Sequence, residues 1–411
     1  MIRPIAISLS PNMENKDVLL ALKLLFTPWS YKPGNCVKKL EHWFCKYFNV
    51  SFAVSFASGR AAFLAILKSL TIGKGDEVIV QSFTCSVVPD AVIETGAIPI
   101  FVDIKNSLTI DPFDLKKKIT KNTKVIVLQH TFGIPSDIDE ILKIAKKNNI
   151  AVIEDCAHTI GGTYNGKKLG SFGIASFFSL GREKAFSSVF GGVAITNEKM
   201  LGKKITELHK CQKNPSFFWI MQQLFHPIAF FIILPVYNFF SFGKIILVAF
   251  QKLKMLSFPI SKEERSGKIS ENLTKKLPNA LACLALFQLE RIDKFNKKRE
   301  TISKLYIEKF TGSEFNLPYK NIIPFLRFPV LLENRDEILA FFKKRGIYLG
   351  NWYSNVIDPK GVNMEKIFYK LGSCPNSEKI ARKIINLPTY PTMSDSDVRK
   401  ILKLFNKLCL K

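Results

Sequence analysis

From about Phe52 to Asn197 the chain alternates short apolar runs with amphipathic stretches, and few architectures accommodate that pattern. Phe52 to Ala57 is strand-like, and Gly59 to Leu70 reads as a helix stopped by Gly73 and Gly75. Val78 to Val80 and Pro99 to Asp103 are strand candidates, with a helix-like stretch at Val88 to Thr95 between them. Lys124 to His130 reads as a strand, Asp137 to Asn148 as a helix and Ile150 to Asp155 as a buried strand. Ala175 to Leu180 and Val193 to Thr196 complete the series. The alternation predicts an α/β domain built on a mostly parallel sheet. Ligands of such sheets bind beyond the carboxyl ends of the strands, so residues at those ends are the first place to look for chemistry.

The rest of the chain reads differently. Residues 200 to 275 are helix-like, and Leu281 to Phe295 is a strongly apolar helix running into a charged one. Residues 315 to 411 suggest a small α+β unit, with strands at Phe325 to Leu332 and Ile384 to Leu387 and a helix at Asp336 to Arg345. The expected division is an N-terminal segment (1–50), a large domain (51–300) with an apolar insertion at about 210–265, and a small C-terminal domain (301–411). A chain of 411 residues is long enough for all three.

Charge and cysteine usage narrow the function classes. The net charge is +26, with lysines spread along the whole chain, as at Lys116–Lys118 and Lys203–Lys204. No helix-turn-helix, zinc-finger or aromatic-interleaved pattern accompanies that charge, so nucleic acid is not an expected partner. The eight cysteines form no C-x-x-C pair, so neither a zinc ribbon nor a disulfide framework is expected, and a reducing cytoplasm fits. Met1 to Met13 lacks a continuous apolar run, so no signal peptide is expected.

Three features carry chemistry. Ile150 to Asp155 is a strand ending in two carboxylates, and that of Asp155, at the carboxyl end, could bind a metal, act as a base, pair with a cationic ligand or simply cap a helix. Lys184 follows the strand-like Ala175 to Leu180 among Gly181, Gly191 and Gly192. Apolar surroundings favour its neutral amine, the form that attacks a carbonyl carbon as a Schiff-base lysine does; the alternative is an exposed loop lysine. Ser58-Gly59-Arg60 lies between a strand and a helix, where backbone N–H groups, the helix dipole and Arg60 favour an anion such as phosphate. Ser179 is a second candidate phosphate contact.

The order of these motifs resembles the DegT-like family of sugar aminotransferases. The similar text includes Ile72-Gly-Lys-Gly-Asp-Glu-Val-Ile-Val80, His130-Thr-Phe-Gly-Ile-Pro-Ser-Asp137, Glu154-Asp-Cys-Ala-His158, Phe178-Ser-Leu-Gly-Arg-Glu-Lys184, Gly191-Gly-Val-Ala-Ile-Thr196, Gln288-Leu-Glu-Arg-Ile-Asp293 and Leu387-Pro-Thr-Tyr-Pro391. The resemblance implies a fold type I transferase that uses pyridoxal 5'-phosphate (PLP). Lys184 matches the lysine that carries the cofactor and shuttles the proton. Asp155 matches the partner of the pyridine nitrogen, and His158 a position beside the cofactor. Gly59, Arg60 and Ser179 match the phosphate-binding positions. Cys85 falls where many relatives place an aromatic residue over the cofactor face, and Lys276-Leu-Pro-Asn279 replaces a segment that reaches the neighbouring subunit's cofactor. The implied reaction moves an amino group from an amino acid, glutamate first among them, to a nucleotide-linked keto-sugar, in a homodimer. The family also contains dehydratases in which histidine replaces the lysine, and Lys184 favours transamination. A regulatory or surface-binding protein is the rival class, supported by the basic charge alone.

The resemblance lapses over the insertion. From Phe217 to Gly243 there is no Lys, Arg, Asp or Glu. About 20 such residues suffice to span a bilayer, but Pro227 and Pro235 are expected to interrupt a helix here. Lysines on both flanks suit an element lying in the surface of an anionic membrane. The alternative is a helical hairpin buried against the body or a partner subunit.

Overall fold

The computed structural model describes residues 3–32, 34–258, 271–312 and 315–409. The N-terminal segment holds β1 (Ile5–Ala6), α1 (Asn15–Leu25) and α2 (Cys36–Phe48). The alternating region follows as β2 (Phe52–Phe56), α3 (Gly59–Ser69), β3 (Glu77–Gln81), β4 (Thr84–Cys85), α4 (Val87–Ile93), β5 (Ile98–Val102), α5 (Pro112–Lys118), β6 (Thr123–Gln129), α6 (Ile138–Lys147) and β7 (Ala151–Asp155). A short β8 (Thr163–Tyr164) and β9 (Lys167–Lys168) hairpin precedes β10 (Ala175–Ser179) and β11 (Gly192–Thr196).

Seven of these strands form one sheet in the order β2-β11-β10-β7-β6-β3-β5. All neighbours run parallel except β11, which is antiparallel to both β10 and β2. Side chains alternate across the sheet, as strand geometry requires. Val78, Val80, Val127, Ile153 and Phe177 pack with α3, α4 and α7 (Lys199–Cys211) on one face. Ile79, Ile126, Leu128 and Val152 pack with α5 and α6 on the other, and Phe178, Val193 and Ile195 join α2 on that side. β2, β3, β6, β7 and β10 all end at one edge, which receives Gln81, Gln129, Asp155 and Ser179.

After α7 the insertion forms α8 (Phe217–Ile233) and, beyond a 3-10 turn at Leu234–Val236, α9 (Phe242–Lys252). The Ser216 side chain caps α8 by accepting from the Trp219 N–H at 3.2 Å. α8 runs unbroken through Pro227, contrary to the expected interruption. A proline inside a helix costs about 3 kcal/mol; here the ring is buried beside Leu224, Ala229 and Phe230, and tertiary packing outweighs that cost. His226 lies 2.8 Å from Ser10 Oγ and fastens the same helix to the N-terminal segment. The stretch Phe217–Val236 has mean hydropathy 1.7, yet 56% of its most apolar window is buried against this chain, which makes it a packed helix rather than a free span. Residues 259–265 of the expected insertion lie outside the described residues.

The chain continues through α10 (Asn279–Leu289), α11 (Ile292–Phe310), β12 (Arg327–Leu331), α12 (Arg335–Lys343), β13 (Ile347–Tyr348), β14 (Ile357–Asp358), α13 (Pro375–Lys383), β15 (Ile384–Pro388) and α14 (Asp395–Cys409). β12 and β15 pair antiparallel over a core that includes Ile302, Tyr306, Phe328, Phe342 and Phe405. Two parallel pairings tie this C-terminal part to the rest, β1 with β13 and β4 with β14. The cysteines correct a sequence expectation. Cys36 of α2 and Cys283 of α10 form a disulfide across a sequence separation of 247 residues, with Cα atoms 5.1 Å apart. Local spacing carries no sign of this bridge, because tertiary packing of α2 on α10 creates it.

Candidate active site

The strand ends open on a cavity holding about 1130 Å³ of empty space, counting the part open to solvent. Asp155, His158, Ser179, Lys184, Cys85, Gly59 and Arg60 all line it. Residues up to 125 apart in sequence therefore meet at the edge where such a sheet presents its site.

Asp155 and its neighbour Glu154 divide by strand parity. Glu154 points into the body, where it accepts hydrogen bonds from the Gly170, Phe172 and Gly173 N–H groups at 2.8, 2.6 and 2.9 Å and pairs with His130 at 3.1 Å. Those donors hold it below the usual carboxylate range despite burial. Glu154 is therefore structural. Asp155 faces the cavity, and its Oδ1 accepts from the Ala157 N–H at 2.9 Å. Burial pushes its carboxyl up, while that N–H and the charge of Lys184 pull it back. A cationic ligand atom beside it would restore the charged form.

Lys184 sits on the loop between β10 and β11. Its backbone is pinned on both sides: its N–H donates to Gly181 O at 3.1 Å, and Asn12 Nδ2 donates to its carbonyl at 2.5 Å. Arg299 holds the next residue by donating to Ala185 O at 2.7 Å, and also donates to Asn12 Oδ1 at 3.0 Å. Burial lowers the amine's proton affinity; Cys85, Asp155 and Glu183 oppose that shift and Arg327 adds to it. A pinned backbone with a flexible side chain suits an amine that must reach more than one atom.

The amino end of α3 supplies an anion cradle. Ser58 Oγ accepts from the Ala61 N–H at 3.1 Å and donates to Leu273 O at 2.7 Å, which shapes the first turn. Backbones crowd here: a Cβ on Gly59 would lie 3.0 Å from Ser179 Cβ, and one on Gly192 would lie 2.4 Å from Gly59 N. A side chain at position 192 would collide with backbone, and one at position 59 would force Ser179 to give by a few tenths of an ångström. Burial pushes the Arg60 guanidinium down to about 10, so it stays charged at neutral pH, and Asp90 close by is pushed up to about 7.

His158 is fixed as a neutral ring. The Phe132 N–H donates to its Nδ1 at 3.2 Å, so the proton of the neutral ring is on Nε2, which lies 3.4 Å from the Tyr353 hydroxyl. Burial and the charges of Lys184 and Arg327 hold its pKa well below the ordinary histidine value.

Several cavity residues escaped sequence reasoning. The β4–β14 pairing swings Trp352, Tyr353 and Asp358 over the strand ends. Tyr353 lies 5.2 Å from Phe83 and 6.0 Å from His158, centroid to centroid, so an aromatic wall comes from the C-terminal part of the chain rather than from Cys85. Glu183 is ion-paired with the buried Arg327, whose guanidinium lies 3.1 Å from the Trp352 ring centroid. The one available signal was the adjacent aromatic pair Trp352-Tyr353 in a polar loop. The segment Lys276–Asn279 turns inward: Asn279 bonds the Cys36 N–H at 2.9 Å and Ser30 O at 3.0 Å, all within this chain.

The family model of the DegT/DnrJ/EryC1/StrS aminotransferases matches residues 11–221 and 250–406. The chain belongs to that family. The interval the model omits, 222–249, falls inside the insertion. Similar proteins include GDP-perosamine synthase of Escherichia coli O157:H7, 26% identical over 97% of this chain and 96% of that protein. Others are the dTDP-3-amino-3,6-dideoxy-alpha-D-galactopyranose transaminase of Aneurinibacillus thermoaerophilus (27%, 95% of each chain) and a UDP-N-acetyl-3-dehydro-alpha-D-glucosamine 3-aminotransferase of Acidithiobacillus ferrooxidans (26%, 95% and 93%). Among solved structures, an aminotransferase from Psychrobacter cryohalolentis superposes with a TM-score of 0.75 at 21% identity, covering 97% of each chain. NtdA from Bacillus subtilis with bound PMP gives 0.75 at 20%, over 100% of this chain and 86% of that one. The DegT/DnrJ/EryC1/StrS aminotransferases use PLP, and this cavity fits it. It holds a close-packed anion cradle at Gly59 and Gly192, where a Cβ on Gly192 would meet backbone, a buried acid for a ring cation, and an amine of lowered proton affinity.

Proposed function

We propose that this PLP-dependent aminotransferase transfers an amino group from an amino acid, glutamate the first candidate, to a 3- or 4-keto carbon of a nucleotide-linked sugar. The observation that carries the reading is the convergence of Lys184, Asp155 and the Gly59–Ser179 cradle on one cavity. The relatives support the substrate class: their printed names carry GDP-, dTDP- and UDP-linked sugars.

When bound, PLP supplies a conjugated ring that accepts the electron pair left by breaking a C–H bond. Lys184 Nζ would hold the cofactor covalently and, as a free amine, would take up the proton removed from the substrate carbon and return it to complete the transfer. Asp155 keeps the ring nitrogen protonated through charge pairing. His158, neutral and bonded at both nitrogens, positions rather than titrates. Gly59, Arg60 and Ser179 hold the phosphate, and Tyr353 with Trp352 walls off water. The active unit is a homodimer, and the enzyme works in the cytoplasm with its insertion against a membrane.

The test is a pair of half-reactions followed by absorbance. The purified protein should be yellow, glutamate should bleach it, and a nucleotide-linked keto-sugar should restore the colour. A colourless protein that neither takes up PLP nor responds to any amino acid would overturn the reading.

A further inference from the structure

α9 carries large apolar side chains on two sides, yet the chain covers only one of them. Ile246, Leu247 and Phe250 face inward and join the cluster of Ala229, Phe230, Ile233 and Leu256. Phe242, Ile245 and Val248 recur at a spacing of three residues on the outer side, 55%, 62% and 47% exposed, and Leu253, just past the end of the helix, is 67% exposed. A contiguous apolar face left outside the core marks an interaction surface. Phe240, 81% exposed at the turn before α9, and Phe231 and Ile232 at the end of α8 are exposed as well. The exposed apolar surface continues toward α1: Phe217 stacks on Tyr31 at 4.9 Å, and Phe26 and Trp29 nearby are both exposed.

We propose that this outer face of the α8–α9 insertion binds an anionic lipid bilayer, so that the enzyme lies peripherally on the membrane. The charge around the patch selects the occupant. No Asp or Glu occurs between Glu207 and Glu263, whereas Lys244 and Lys252 lie in α9 and Lys254 directly after it. In an isologous contact the same surface of a second copy would offer those lysines no carboxylate from this segment. An anionic headgroup layer satisfies the lysines while the large apolar side chains enter the acyl boundary. Depth is limited, because the inner face of α8 is already committed to the protein through His226 and its apolar neighbours. The inference deepens the peripheral location proposed with the function and is independent of the aminotransferase reading.

The experiment is flotation of the intact, PLP-loaded protein with vesicles of phosphatidylcholine alone and of phosphatidylcholine with phosphatidylglycerol. The wild type should float with the anionic vesicles at least tenfold more than with neutral ones, and lose most binding at high salt. Phe240→Ser with Ile245→Ser should abolish flotation while the cofactor absorbance stays unchanged; Lys252→Glu with Lys254→Glu should weaken it. Equal recovery with neutral vesicles, or none with either, overturns the proposal. So does a shift to a smaller oligomer in the Phe240→Ser, Ile245→Ser variant by light scattering, which would assign the patch to a second copy. Loss of colour with flotation intact would instead strike the catalytic reading.

Discussion

Lys184 and Asp155 sit on adjoining stretches of one sheet edge, and changing each is expected to fail in a different way. Lys184→Ala should abolish covalent cofactor attachment and turnover without unfolding the chain, since the loop is held by backbone bonds to Asn12 and Gly181. Absorbance and a urea midpoint, measured together, check both halves of that statement. Asp155→Asn should retain cofactor yet lose about a hundredfold or more in turnover, ~2.7 kcal/mol of barrier. A loss of threefold or less would remove the proposed role. That Lys184, Asp155, His158, Gly59, Arg60, Cys85 and Ser179 line one cavity is legible in the sequence, because each belongs to a short motif at or just past a strand end. Tyr353 and Trp352 are not, because they reach the cavity only through the β4–β14 pairing, formed by strands more than 270 residues apart.

At the scale of elements, α8 is the least predictable part. Its apolar content was plain, but its continuity through Pro227 depends on packing that no local pattern encodes. The strands of the sheet were read to within a residue or two, since each is a short apolar run closed by a turn. The Cys36–Cys283 bridge was invisible for the opposite reason: it joins two helices distant in sequence. His226 supplies a test of how α8 is docked. Its pKa lies well below the ordinary 6.5 because of burial and the charge of Arg182, and its ring contacts Ser10 and Phe230. The unfolded chain binds that proton near pH 6.5 while the native chain refuses it, so this contribution to stability is complete above that pH and declines below it. The urea midpoint should fall from pH 7.5 to pH 5, and His226→Gln should flatten that slope. An unchanged slope in the variant would show that α8 tolerates a charge there.

For the whole molecule, the homodimer proposed with the function has a direct test. Light scattering at micromolar concentration should give about twice the monomer mass, and a monomer still active at nanomolar concentration would refute it. Asn279 bonds inward here, so a partner's contribution to the phosphate cradle should come from some other residue.

Arg182 joins the insertion to the chemistry. Two residues before Lys184, it donates to Ser257 O at 2.5 Å and to Gln223 Oε1 at 3.4 Å, and it also lines the cavity. The insertion is thus no detachable appendage. Cutting it out would strand a guanidinium inside the protein, and a buried donor without a partner costs about 1–3 kcal/mol, more when charged. A shortened enzyme, whether made by a laboratory or by descent, would have to exchange Arg182 for a neutral side chain in the same step. Gain or loss of this segment and the residue at position 182 should therefore travel together as one heritable unit.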